Sequence, residues 1–324
     1  MMQKYFVYGS ELSYFTRKLE AAMIFYGADF DMKPKPPEAE SRAGTHQIPV
    51  LHTPENWMIA DSTPLMHLLD SRFPFRSMFP QGPLGVLTQI VEEYFDEWIA
   101  RTMVHYRWHY EESAVFASER MAAGNQEAAA RVRSWGPRAC RATGTESEHQ
   151  QRECEAEYRR ILDALDQQFQ QTRYALGDRP CAVDCILLGG LRAHTNMDPV
   201  PKKMMEAWPR IVDWAETGAD NWDGSGELAP FPGSTPFARF VLQEMLPTYV
   251  PFVLGNADAL AAGAKAFHVQ TYGEDVSYLT RPYPEQSRRM IQTKIEGQLT
   301  GEEAASVRDW LHERQLDEVF GVNE

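Results

Sequence analysis

Cysteine is scarce in this chain. Four of the 324 residues, Cys140, Cys154, Cys181 and Cys185, carry thiols, none precedes position 140 and no two stand in a CxxC spacing, so neither a disulfide scaffold nor a cysteine-rich metal ribbon is encoded. Positive charge is short as well: 32 Lys and Arg against 46 Asp and Glu leave a formal net charge of −14. A surface of that sign repels phosphate backbones and anionic headgroups, so neither nucleic acid nor a membrane is expected as a partner. No apolar run approaches the roughly 20 residues of a membrane-spanning helix, and the opening MMQKYFVYGSEL has neither the basic stretch nor the apolar core of a secretory signal. The expected address is the cytoplasm. Walker, GxGxxG, HExxH and GxSxG motifs are missing. The pairs His105/His109 and Cys181/Cys185 have no further ligands around them, and the acidic stretch 220–227 places Trp222 where a calcium loop needs an early ligand. No metal is expected.

What is present is enough chain for about two domains, at 43% hydrophobic and 24% charged residues. Residues 4–8 form a short aromatic, apolar run with strand propensity, followed by Gly9-Ser10 and a helical pattern over 13–26 that starts at a capping serine, Ser13, and stops at Gly27. Phe15, Leu19, Ala22, Met23 and Tyr26 share one face, with Arg17, Lys18 and Glu20 opposite. Residues 28–33 alternate as a second strand that PKPP closes. A short helical stretch near 38–43 leads to Gln47-Ile48-Pro49-Val50-Leu51, a strand carrying a proline, which needs an edge position or a special peptide geometry. A turn at 53–56 and a strand at 57–60 complete a hairpin, and Asp61-Ser62-Thr63-Pro64 opens a helix.

The segment FPQGPLG at 79–85 divides this alternating region from a mostly helical one. Leu87, Ile90, Val91, Tyr94, Trp98, Thr102 and His105 trace one stripe of a long helix ending near Tyr110; 135–147 reads as loop, and 150–171 as a second long helix. Beyond Trp214 a Gly/Pro-rich stretch precedes helical patterns near 237–246 and 301–320. The boundaries so read are 1–80, 85–216 and a mostly helical extension, 217–324, packed on the helical domain.

This order of elements resembles the glutathione S-transferase family over about 4–214. The resemblance rests on Gln47-Ile48-Pro49, matching the family's cis-proline segment; on Asp61-Ser62 at a helix head, matching its acid-or-amide plus serine pair; and on ILDALDQQFQQTRYALGDRPCAVDCILLG, matching its buried capping-box helix, with Cys181 where a Ser or Thr usually caps and Asp184 kept. The closing Trp208-Pro209-Arg210-Ile211-Val212-Asp213-Trp214 matches as well. The resemblance implies an α/β thioredoxin-like N-terminal domain that binds glutathione and an all-α C-terminal helical domain that supplies a second-substrate pocket. Glutathione would lie on Gln47, Ile48, Pro49, Asp61 and Ser62, its γ-glutamyl carboxylate at the helix head. Tyr94, Trp98, His105 and Trp108 would face an apolar electrophile, although such a stripe is as readily core. A homodimer is implied, as is the absence of a metal.

A glutathione thiol near pKa 8.5 is only about 3% ionised at pH 7, and a donated hydroxyl stabilises the thiolate by about 1.5 to 3 kcal/mol. Ser13 matches the donor of the serine-type classes, with Ser10 and Tyr14 as alternates and Tyr8 held in the strand; a serine there can equally do no more than cap its helix. Tyr14 stands where many relatives carry proline. The cysteine-free first domain argues against mixed-disulfide chemistry. The expected activity is conjugation of glutathione to an electrophile. Two alternatives stay open: a non-catalytic binding or scaffold protein, and glutathione-dependent lyase, isomerase or dehalogenase chemistry.

Overall fold

A computed structural model describes residues 4–218 and 222–321. In chain order the first elements are β1 (Tyr5–Tyr8), α1 (Tyr14–Tyr26), β2 (Phe30–Lys33), α2 (Pro37–Ala43), β3 (Val50–His52), β4 (Met58–Ala60) and α3 (Ser62–Arg72). Then come α4 (Gly82–Glu93), a π-helical turn (Tyr94–Ile99), α5 (Ala100–Trp108), α6 (Glu111–Met121), α7 (Gln126–Arg133), α8 (Gly136–Ala142) and α9 (Glu148–Gln168). After α10 (Ala182–Gly190) follow a second π-helical turn (Leu191–Thr195), α11 (Pro199–Met204) and α12 (Pro209–Thr217). The last stretch holds α13 (Pro236–Glu244), α14 (Tyr249–Ala261), β5 (Ala266–Thr271), β6 (Glu274–Leu279), α15 (Pro282–Gly297), α16 (Gly301–Glu313) and α17 (Asp317–Phe320).

These elements form two compact units, each drawn from two stretches of chain: Met1–Pro80 with Phe169–Leu228, and Gln81–Gln168 with Ala229–Glu324. In the first, the sheet order is β2-β1-β3-β4. The α1 crossover makes β1 and β2 parallel, while β3 and β4 run antiparallel. This is a thioredoxin-like sheet. Ser13 caps α1 by accepting from the Thr16 N–H at 3.2 Å, and Gly27 ends it at φ +68°. The α1 helix packs closely on α10 because Gly189 has no side chain; a Cβ there would lie 2.7 Å from the Tyr14 carbonyl oxygen. That approach corrects one expectation. Lys18 is fully buried rather than on a solvent face, its Nζ donating to Thr63 Oγ1 at 2.7 Å.

The α10 capping box forms with the expected exchange of residue. Asp184 accepts from the Cys181 and Ala175 N–H groups, each at 2.9 Å, and the Cys181 thiol lies 3.4 Å from the same carboxylate. Burial raises the Asp184 carboxyl to about 6, against the hydrogen bonds that favour its charge.

In the second unit the run from Gly82 to Trp108 is the long helix that the stripe predicts, interrupted by its π turn. The extension packs back onto it: α13 lies on α9, and α15 and α16 lie on α4. Two elements depart from the sequence reading. Residues 136–142, read as loop, form α8, and the extension contains the β5–β6 hairpin as well as helices. The hairpin signal was present: Phe267 and Val269, then Val276 and Tyr278, alternate on either side of Tyr272-Gly273. Asp220 and Asn221, part of the acidic stretch set aside as a calcium loop, lie outside the described residues.

Candidate functional site

Strand register brings three separate segments of the first unit together. Val50 opens β3 and pairs with Tyr8, the last residue of β1, and with Ala60, the last residue of β4. The loop after β1, the Ile48–Pro49 peptide before β3 and the Asp61–Ser62 step after β4 therefore leave the sheet at one end. Two helices, α1 and α3, also begin there, and their first-turn N–H groups favour anions.

Each segment has an unusual feature. The Ile48–Pro49 peptide is cis, as the resemblance implies. Among the described residues, the backbone N–H and C=O of Ile48 engage in no hydrogen bond, which leaves an extended peptide's complement on offer. Gln47 beside it is exposed; its N–H donates to Thr45 Oγ1 at 3.1 Å and its carbonyl accepts from Lys35 Nζ at 3.3 Å. Asp61 sits at φ +75°, ψ 110° and makes no side-chain cap bond to α3. A non-glycine residue in that region costs about 1–3 kcal/mol, and such positions gather where a fold holds a ligand. Ser62 follows, buried at the first position of the helix.

The hydroxyl candidates differ in what they have left to give. Ser13 Oγ spends an acceptor lone pair on the Thr16 N–H, and Ser10 Oγ accepts from Leu12 N–H at 3.2 Å. An accepting hydroxyl still has its own hydrogen to donate. Tyr14 is buried, its ring edge-on to Phe15 at 5.2 Å and tilted against His194 at 6.1 Å. The Tyr8 hydroxyl lies 3.2 Å from His52 Nδ1.

The aromatic stripe lies in the second unit, and its donors meet buried carboxylates, while His105 Nδ1 is buried without a hydrogen-bond partner. Tyr94 Oη donates to Glu157 Oε1 at 2.7 Å and Trp98 Nε1 to Glu157 Oε2 at 3.0 Å; both side chains are fully buried. Thr248 and Tyr272, from the extension, donate to the same carboxylate, and the Arg101 guanidinium lies 3.8 Å over the Trp98 ring. Burial pushes the Glu157 carboxyl up. His105 is also fully buried, with Nε2 2.8 Å from Glu155 Oε1, which accepts from Tyr110 as well. Burial alone would raise Glu155; hydrogen bonds from His105 and Tyr110 and the charge of Arg159 hold it below the ordinary carboxylate value. Trp108 is half-buried, its Cβ 3.1 Å from where a Cβ on Gly136 would stand. Of the four stripe positions, Trp108 is thus the one with ring surface to spare. The carboxylates that occupy the other three, Glu155 and Glu157, had no signal in the stripe itself; they lie about fifty to sixty residues downstream on α9.

The family profile described as the glutathione S-transferase C-terminal domain matches residues 119–219. No curated protein matches this chain. Among solved structures, it is similar to a glutathione S-transferase of Ceriporiopsis subvermispora in complex with glutathione, at 15% identity and TM-score 0.48, covering 67% of this chain and 100% of that one. It is similar to a glutathione S-transferase from Rhodospirillum rubrum F11 at 15% identity and TM-score 0.46, covering 68% and 89%. A third likeness, to FzlA from C. crescentus, has 15% identity and TM-score 0.46 and covers 71% and 96%. Among the described residues, no helix is long and apolar enough to cross a membrane.

Proposed function

We propose that this chain binds glutathione at the shared end of β1, β3 and β4 and activates its thiol for attack on an apolar electrophile. The observation that carries the reading is the unbonded Ile48 peptide, which the pairing of Val50 with both Tyr8 and Ala60 sets beside Asp61–Ser62 and the head of α1. An extended cysteinyl backbone complements the Ile48 peptide beside Gln47 and Pro49. The γ-glutamyl carboxylate takes the α3 head at Ser62, with Asp61 facing its ammonium. The thiol then lies at the α1 head, where Ser13 donates to the sulfur while its lone pair keeps the Thr16 cap, with Ser10 and Tyr14 as alternates. In this reading 1–80 is the thioredoxin-like domain, 85–216 the all-α domain and 217–324 its extension; the protein works as a cytoplasmic homodimer without a metal.

Calorimetry tests the binding step. Glutathione added to millimolar concentration is expected to give saturable heat that Asp61→Ala weakens; a wild-type chain that takes up no glutathione ends the proposal. Retained binding without turnover on any of a panel of electrophiles would favour the scaffold alternative, which the buried Tyr94 and Trp98, both donating to Glu157, also favour.

A further inference from the structure

One buried carboxyl of the second unit, Glu93, pairs with no cation among the described residues. It belongs to a run of four acids, Glu92, Glu93, Asp96 and Glu97, at the end of α4 and in the π turn that follows, and Glu92 and Glu97 are buried with it. Carboxylates so close repel one another unless a cation or a proton intervenes. The extension brings a cation to one of them: Arg281 Nη2 donates to Glu97 Oε2 at 3.1 Å. Glu93, at 1% exposure, instead receives the neutral hydroxyl of Tyr249, from α14, at 3.2 Å.

The rest of the extension adds no charge to answer it. The Tyr249 ring stacks on Phe320 of α17 at 6.3 Å. On α15, Ser287 offers a hydroxyl, Lys294 is buried, and the buried Arg288 guanidinium is committed to Glu285 Oε2 at 2.6 Å and to the Val319 carbonyl at 3.0 Å. Helices α13 and α16 also lie on α4, and the side chains they bury are uncharged. An ionised carboxyl in this position is therefore far costlier than the neutral acid. Burial first, then the charges of Glu97, Asp96 and Glu92, push the Glu93 carboxyl well above its ordinary value, against the Ser287 hydroxyl.

We propose that the extension is a proton-operated strap: α14 and α15 stay seated on α4 while Glu93 carries a proton, and giving up that proton frees them. Lifting the strap brings water to the carboxyl, which then releases its proton to solvent. The seated form is fully favoured below the ordinary value of 4.5 and loses ground as pH rises above it. The inference stands apart from the glutathione reading.

Amide hydrogen exchange on the full chain, corrected for the intrinsic base-catalysed rate, reads the opening. The range from about pH 5 to about pH 9 spans the values that buried carboxyls reach. Within it, protection of the α14 and α15 amides is expected to fall about tenfold per pH unit, the slope of one released proton, until Glu93 ionises in place. Amides in the middle of α5 show no such slope. Glu93→Gln keeps an acceptor for Tyr249 but has no proton to lose, so its α14 and α15 protection stays level. Glu97→Gln takes away the neighbouring negative charge, so the total fall across the range shrinks; this variant carries the test if Glu93→Gln does not fold. Level protection in the wild type, an unchanged slope in Glu93→Gln, an undiminished fall in Glu97→Gln, or the same slope throughout α5 overturns the proposal.

Discussion

The sheet end of the first unit and the aromatic stripe of the second are built from similar residues, and they do opposite things. Around Ile48 and Ser13 the fold leaves hydrogen-bonding capacity over: an unbonded peptide and a hydroxyl with its hydrogen still to give. Around Tyr94 and Trp98 the side-chain donors are both collected by Glu157, and His105 sets Nε2 against Glu155 while its Nδ1 stays buried without a partner, closed off from any ligand. Residue type alone therefore does not make a site. What distinguishes one is the part of its polar chemistry that folding leaves unused, and at the first unit that surplus lies at the sheet end where Asp61 takes an unfavourable φ.

Three measurements would break or sharpen this contrast. The largest effect is expected at Glu157. Replacing it with Ala strands four donors and the Arg101 charge in the interior, and denaturant unfolding is expected to show a loss of about 3–5 kcal/mol; a loss below about 1 kcal/mol would mean that the stripe is not the saturated core described. Ser13→Ala is next. If its hydroxyl serves the thiolate, turnover falls about 10- to 100-fold, beyond the roughly 0.5–2 kcal/mol of stability lost with the cap. Unchanged kcat with lowered Tm would leave Ser13 as a cap and move the donor to Ser10 or Tyr14.

The smallest effect concerns Asp184, a buried carboxylate in the same unit as the candidate site. Folding raises its carboxyl from the ordinary 3.8 to about 6 by burial, so the protonated form is the one folding favours. Its stabilising contribution is complete below pH 3.8 and is lost as pH rises through about 6. Wild type should therefore lose stability relative to Asp184→Asn between those values, and the difference should stay level above them. Urea midpoints that run parallel for the two proteins across that window would show that the carboxylate is as well solvated in the fold as outside it.

Much of the first unit was legible residue by residue. Ser13 and Gly27 bound α1, PKPP closes β2, and Asp61-Ser62 opens α3, because caps and breakers act over three or four positions. The family resemblance singled out Ile48–Pro49 and Asp61–Ser62, but their meeting at one sheet end depends on register with Tyr8, set some forty residues away. The second unit was less legible. Its stripe has the same spacing whether it lines a pocket or fills a core, and local pattern does not mark α8 or the β5–β6 hairpin: one lies in a Gly-containing, charged stretch, the other inside a region of helical pattern.

By itself, the sequence determined where helices and strands begin and end and in what order they come, since periodicity, capping and turn chemistry are local properties of neighbouring residues. The tertiary structure alone decided which polar groups remain unspent. That choice depends on partners far apart in the chain: Glu157 lies 59 residues from Trp98 and 115 from Tyr272. Only the packed fold brings them within hydrogen-bonding distance.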